Sequence, residues 1–501
     1  MKKVAIVGAG IAGLTAGVYA QQSGFDVTIY ESHVIPGGAS TSWHRKGYLF
    51  EGGMHWLTGS SPETSFNKLW REVGALDDTV TIYNRDPFNE FEYNGQTAYL
   101  YRDVEKLRRH FTEIAPEDEK EIDRMCRDLR KFMKFGMPLT DVKGVRVKQK
   151  SAMSLGELAG MLPALLRLPF YVKQTCKEYS QRFKSPLLRL MLENLIGAEY
   201  NAVGLLVTIA TLASGDGGYP EGGSLAMAGR IAKTFEKLGG RIEYGKLVSK
   251  VVVQNGTACG VMIDGEQIPA DAVIVTQDTL AAIDNLFDPP IVEPWAQKMR
   301  TTTRPVLDTF IGVGVKADLS QRPESLTFIA DEPLLCGGIP SSLIAINNYA
   351  GFEGYAPAGC SAITCFIDGD SYDYWKACRE NGTYQAEKQK LAEAFIRILA
   401  QKYPETAGKV EVWDVATPLT YERYLHSYKG SWMSIMEKGD KGESYPTQPV
   451  SIKNVYFAGQ RLMKPGGLPV AAETGRKAVQ YLCRDTDTVF QGGAHYEIVD
   501  P

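Results

Sequence analysis

Residues 3–31 constrain the fold of this chain more than any other stretch. KVAIV at 3–7 is apolar and β-branched throughout, the composition of a strand buried on both faces. It runs straight into Gly8-Ala9-Gly10-Ile11-Ala12-Gly13, then into the small-residue run LTAGVYAQQSG ending at Gly24, and then into DVTIY, which ends at Glu31. Strand, glycine turn, helix, strand and acid in that order make a complete βαβ unit of the dinucleotide-binding kind. Gly8 permits the tight turn, Gly10 lets the backbone approach a pyrophosphate, and Gly13 with Gly17 lets the helix lie close to the sheet. The amides of Ile11 and Ala12 at the helix start face the phosphates, where the positive end of the dipole favours them. Glu31, followed by Ser32, is placed to accept from ribose hydroxyls, and its charge disfavours a 2′-phosphate. A glycine string of this form also occurs in unrelated turns, and the unit alone leaves NAD and FAD both open.

The residues after Glu31 point to FAD. The doublet Gly37-Gly38, with Ala39 and Ser40 after it, is superfluous in an NAD site. In a flavin site a second glycine turn brings the backbone against the pyrophosphate and ribityl chain, and small hydroxyl residues bond phosphate. A plain Pro-Gly surface turn is the competing reading. Further on, GYLFEGGMHW carries Gly52-Gly53, Met54, His55 and Trp56. His55 and Trp56 are either aromatics at the rim of a core or part of a flavin lining, and His55 is the one candidate catalytic side chain. Near the other end, NVYFAG at 454–459 is again an apolar strand closing on glycine. Gln460, the loop RLMKPGGLP and a small-residue helix follow, so Gly466, Gly467, Leu468 and Pro469 form a second helix start able to stabilise an electron-rich ring. A strand and helix with no ligand is the alternative.

At 501 residues the chain exceeds one compact domain, and a formal net charge of −4 provides no field for a polyanion, so nucleic acid is not an expected partner. Eight cysteines at scattered positions form neither a disulfide framework nor a zinc pattern, which fits a reducing cytoplasm. No metal ligands are expected. Cys360 and Cys365 have redox-pair spacing, but CSAITCFID reads as a strand that would put them on opposite faces. No run of about 18 apolar residues exists, so no spanning helix is expected, and the N-terminus lacks a signal-peptide cleavage site.

These motifs together resemble the FAD-dependent amine oxidase and phytoene desaturase superfamily, most of all its phytoene desaturase, carotenoid isomerase and retinol saturase branch. The resemblance spans essentially the whole chain. It rests on GAGIAGLTAG with Glu31, on PGGAS, FEGGMHW and YPEGGSLAMAGRIAKTFEKLGGRI, on ADAVIVTQD and TPLTYERYL, and on GQRLMKPGGLPVAAETGRKA. It implies FAD, with Gly8, Gly10 and Gly13 on the pyrophosphate, Glu31 on the adenosine ribose and Gly37-Gly38 along the diphosphate, and the FAD is expected to be noncovalent because no His or Cys sits in a recognisable flavin-linking sequence. It further implies Gly53, Met54 and His55 at the flavin, the Val248 backbone against adenine, and Gly459, Gln460, Gly467, Leu468 and Pro469 along the ribityl chain and isoalloxazine. There are departures. Ala39 stands where many relatives carry Arg, and Gly459-Gln460-Arg461-Leu462 where desaturases often read glycine, threonine, histidine, proline.

The resulting fold class is α/β: a Rossmann-like FAD-binding domain of glutathione-reductase type, discontinuous over 1–85, 206–295 and 436–484. An α+β substrate domain with a mixed sheet and a helical cap is formed by 86–205 and 296–435, and 485–501 is a C-terminal tail. Residues 131–189 carry twelve basic side chains against three acidic ones, together with MLPALLRLPFYV. That mixture is either a solvated face over an ordinary core or a peripheral membrane contact near a greasy entrance. Three functions stand. The first is oxidation, reduction or flavin-assisted isomerisation of a carbon–carbon bond in a lipophilic, unsaturated substrate such as a carotenoid, retinoid or steroid. The second is oxidation of amines or amino acids, and the third is flavin binding without catalysis. No permanently bound NAD(P) is expected, the electron donor or acceptor is unidentified, and Arg304, Tyr421 and Arg423 read as structural.

Overall fold

The computed structural model describes residues 1–137, 139–148, 155–440 and 442–492. Five strands form a parallel sheet in the order Val455–Phe457, Ala272–Val275, Lys3–Val7, Asp26–Glu31 and Arg241–Tyr244. The alternation of side chains along its central strand divides the surroundings into two cores. Val4 and Ile6 pack toward the helices Ile11–Gln22, Gly223–Lys237 and Leu468–Asp485. Ala5 and Val7 face the other way, onto a three-stranded antiparallel sheet of residues 248–269 and the helices Thr279–Asn285 and Pro294–Thr302. A parallel sheet needs cover on both faces, and its uninterrupted apolar strands supply both. The hairpin at Asn255-Gly256 turns with positive φ at both residues, as that dipeptide favours.

A second, seven-stranded sheet runs Val410–Ala416, Asp308–Val315, Ser361–Asp368, Ile339–Asn348, Ser325–Cys336, Glu90–Tyr93 and Gln96–Tyr99. The helix Tyr384–Lys402 buries Phe395 and Leu399 against Ile311, Val313 and Cys365 on one face of it. A separate helical core joins Phe111, Leu129 and Leu192, from three helices of the first insertion, to Leu206 of the helix Ala202–Ala213, which crosses the boundary expected at 205/206. CSAITCFID forms the strand expected of it, Ser361–Asp368, whereas nothing in the sequence analysis pointed to Ser325–Cys336. Its alternation breaks at ADEP, where the pairing with Ile339–Asn348 shifts register between Ile329 and Leu334.

All eight cysteines are free. Cys365 is buried within its strand and Cys360 precedes it, which removes the redox-pair reading. The expected C-terminal tail is docked on the body of the protein as far as residue 492. Phe490 is fully buried, donates its amide to the Arg146 carbonyl at 2.8 Å, and packs on Tyr19 and the buried Arg476 guanidinium. Residues 493–501 lie outside the described residues.

The first and last helices of the nucleotide half pack unusually close. A Cβ placed on Gly475 would sit 2.5 Å from the Ala12 carbonyl oxygen. Gly475→Val should therefore push these helices apart and lower stability by about 1–3 kcal/mol, the usual range for overpacking. Urea denaturation followed by circular dichroism measures this, and an unchanged midpoint would contradict the close contact.

Candidate functional site

Between the two sheets and the helical cap lies a cavity of about 2150 Å³. Pockets for a single drug-sized ligand run to roughly 1,000 Å³, so this one has room for two molecules side by side. Residues 7–12, 30–32, 37–40, 246–248 and 459–471 contribute to one end of its wall. Two helices begin there, Ile11–Gln22 at Gly10 and Leu468–Asp485 at Gly467, and neither start is capped by a side chain. Their leading amides point the positive ends of two dipoles into the same space.

The glycines at this end have separable reasons. Gly10 has φ of −69°, which any residue adopts, and an added Cβ would stand 3.9 Å from the nearest atoms of Gly37 and Gly38. Glycine there keeps the cavity clear rather than easing the backbone. Gly13 is the reverse case. It does not line the cavity, and a Cβ on it would run into the Gly8 carbonyl oxygen, so its role is packing. Gly53 presses against the Ala39 carbonyl and Ser224, with a Cβ reaching 2.8 Å from each.

Two buried carboxylates hold these turns together. Glu31 accepts from the Ala9 amide at 2.7 Å and the His33 amide at 2.8 Å, tying the first glycine turn to the end of the second strand, and Ser32 Oγ is 3.3 Å away. Glu51 accepts from the amides of Gly53, Met54 and Ser224 and from the Tyr219 hydroxyl, at 2.8–3.1 Å. In the C-terminal half, buried Arg461 pairs with Asp278 at 2.7 Å and donates to the Met433 carbonyl and the hydroxyls of Ser431 and Ser434. Arg461 stands within the sequence departure noted above, and it anchors the loop that carries Gly459 and Gln460. Ser40 Oγ and Gln460 Oε1 are buried in the cavity wall without a protein partner. Uncapped helix starts, a cleared Gly10 and unpaired polar atoms at both ends fit a flavin nucleotide laid between the two halves.

Apart from Gly13, every residue singled out for the cofactor lines this cavity, including Ala39, Met54, Val248, Leu468 and Pro469. His55 is in the wall too. Its ring stands edge-on to Phe366 at 5.0 Å, and burial together with the Arg85 cation lowers its pKa to about 4, so it is neutral at physiological pH.

The far end contains polar groups that periodicity does not reveal. Asp308 and Asp368 are directly opposed across antiparallel strands and both line the cavity. Burial and the neighbouring Asp368 push the Asp308 carboxyl up to about 7, and burial raises Asp368 as well. Asp368 has accessible surface because it opens into the cavity, while protein encloses it otherwise. The Tyr421 hydroxyl and Trp432 indole face Asp308 without closing a hydrogen bond of good geometry. Tyr421, expected to be structural, is thus a cavity residue. An acid buried at strand positions otherwise filled by apolar side chains, as in LDTFIGVGV and TCFID, is the signal that could have found this pair.

The family model for flavin-containing amine oxidoreductases matches residues 11–483. A 4,4′-diapophytoene desaturase (4,4′-diapolycopene-forming) of Methylomonas sp. is 23% identical, with 99% of this chain and 98% of that one covered. The chloroplastic prolycopene isomerase of Daucus carota is 24% identical over 94% of this chain and 78% of its own. Among solved structures, cyclohexylamine oxidase from Brevibacterium oxydans superposes with a TM-score of 0.58 at 15% identity, covering 97% of this chain and 99% of that one. A likeness that distant speaks for the mixed α/β fold alone. The family match over nearly the whole chain, the carotenoid-enzyme relatives and the two-helix cavity agree, and the chain belongs to the flavin-containing amine oxidoreductase family as a flavin-dependent oxidoreductase.

Proposed function

We propose that this enzyme holds one FAD noncovalently and acts on a carbon–carbon bond of a lipophilic, unsaturated molecule. The observation that carries the reading is the room the cavity has for a second molecule, together with the apolar side chains Phe88, Phe91, Val207, Leu343 and Phe366 that its wall includes outside the nucleotide end. The relatives named for carotenoid desaturation and isomerisation support it. In this reading 1–85, 206–295 and 436–484 form a Rossmann-like FAD domain of glutathione-reductase type, and 86–205 with 296–435 form the substrate domain. The parallel sheet draws its strands from the first set and the seven-stranded sheet from the second.

FAD supplies a two-electron centre for hydride exchange with carbon. The chain does the rest. Gly8, Gly10, Ile11, Ala12, Gly37, Gly38 and Ser40 bind the pyrophosphate, Glu31 and Ser32 the ribose, and Val248 the adenine. Gly459, Gln460, Gly467, Leu468 and Pro469 hold the ring, with Gly53, Met54 and His55 on its other side. Neutral His55 and Phe366 contribute uncharged surface to the wall the substrate meets. Asp308, protonated below about pH 7, holds a proton at its carboxyl oxygen that can be passed to, or received from, a substrate carbon. The unpaired Arg85 cation in the same wall opposes a protonated amine, which ranks amine oxidation second.

Among the described residues no helix is long and apolar enough to cross a membrane. The peripheral contact expected of 131–189 draws support from Leu158, Leu162, Leu165 and Leu166, which are exposed beside the cavity rim at Gly160 and Leu165. Lys150, part of that expectation, lies outside the described residues.

Anaerobic titration of the purified holoenzyme with polyenes, watching flavin absorbance, tests the reaction class. Bleaching or reoxidation with a polyene and none with simple amines is expected, and the opposite pattern would promote amine oxidation. Gly10→Val should fold with an unchanged circular dichroism spectrum yet purify with little flavin, because the side chain fills space at the phosphates. A normal flavin complement would sink the cofactor assignment. Asp308→Asn bears on pH. The unfolded carboxyl ionises above 3.8 and the folded one only above about 7, so the folded state holds the extra proton between them and stability falls as pH rises through that window. Asparagine removes that dependence, so the variant's stability relative to the unsubstituted enzyme should grow from pH 4 to 7 and then level off, read by urea denaturation. A difference independent of pH would contradict the raised Asp308.

A further inference from the structure

The cavity wall contains a cation with no counter-ion. Arg85 opens into the cavity and is enclosed by protein on its other sides. Its Nη2 donates to the His55 carbonyl at 3.2 Å, and the guanidinium stands 4.8 Å from the centre of the Phe88 ring. Among the described residues no carboxylate oxygen comes within 4.0 Å of it, and Glu324, the only carboxylate with a marked influence on it, is an exposed residue. A guanidinium carries five N–H donors, and most of those on Arg85 are free. The neighbouring Arg102 differs. It donates to the backbone carbonyls of Arg85, Leu212, Asp216 and Gly217, which makes it a structural clamp that also fixes the Arg85 backbone.

Enclosing a charge without a partner is costly, and a chain seeking only stability would place an apolar residue here. The donors instead face a cavity whose wall here includes Phe88, Phe91, Val207 and Leu343. Resting on the lipophilic-substrate reading, we propose that Arg85 binds a carboxylate on the substrate, so that the enzyme takes an unsaturated chain ending in an acid group. The planar fork of arginine matches a carboxylate, and such charge-assisted pairs are about twice as strong as neutral ones.

Retinoic acid, its methyl ester and retinol carry one polyene with and without the carboxylate, and each can be titrated into the holoenzyme while its effect on the flavin spectrum is read. The acid should bind about tenfold or more tightly than the ester or the alcohol, the scale of a hydrogen bond to a charged group. Arg85→Gln should abolish that preference and leave ester binding in place, and Arg85→Lys should retain part of it. Equal affinity across the three, or a preference surviving in Arg85→Gln, overturns the carboxylate assignment alone. If none of the three binds, the polyene reading fails and the carboxylate falls with it. Should Arg85→Gln fail to fold, the acid-to-ester ratio in the unsubstituted enzyme and in Arg85→Lys decides the matter.

Discussion

How closely the helix Ile11–Gln22 can lie against Leu468–Asp485 governs the rest of the molecule. The two are separated by more than 440 positions, yet Gly475 meets the Ala12 carbonyl almost backbone to backbone. That contact sets two uncapped helix starts on one cavity, and neither alone would bind a nucleotide with a charged middle and an electron-rich ring. Glu31, Glu51 and Arg461 then fix the turns that lead into those starts. Each is buried, and each spends its charge on backbone groups or an opposite charge of the protein, as a buried ion must.

The cavity divides by polarity. Its nucleotide end is rich in backbone amide and glycine, while the rest of its wall mixes apolar and neutral polar side chains with the ionisable groups Asp308, Asp368 and Arg85. Those ionisable groups mark the places where chemistry can occur, because a neutral acid and an unpaired cation in low dielectric are expensive to keep unless they meet something. Asp308, raised to about 7, can exchange a proton near neutral pH, and the proposed role of Arg85 is to meet an anionic group.

Much of this was legible in the residues. The βαβ unit could be read because strand period, glycine turn and terminal acid are all local, and the residues singled out for the cofactor in and just after it line the cavity apart from Gly13. Gly13 was read from its place in the unit as a packing glycine and through the resemblance as a pyrophosphate residue, and the Gly8 carbonyl that a Cβ on it would meet supports the packing role. Asp308 and Asp368 are 60 positions apart and meet only through strand pairing, and Arg85 differs from Arg102 only in which carbonyls happen to surround it. Long-range pairing and local satisfaction of donors are three-dimensional facts with no sequence period. Phe490 was missed for a related reason, because a polar, glycine-bearing terminus hides one ring that fits over Tyr19.

The central claim is that two helix starts, one from each end of the chain, together hold a single dinucleotide. Denaturing the purified protein with acid and identifying the released flavin by chromatography tests it most directly. One FAD freed per chain is the expected result. FMN, no flavin, or flavin that stays attached to the precipitated protein would contradict it.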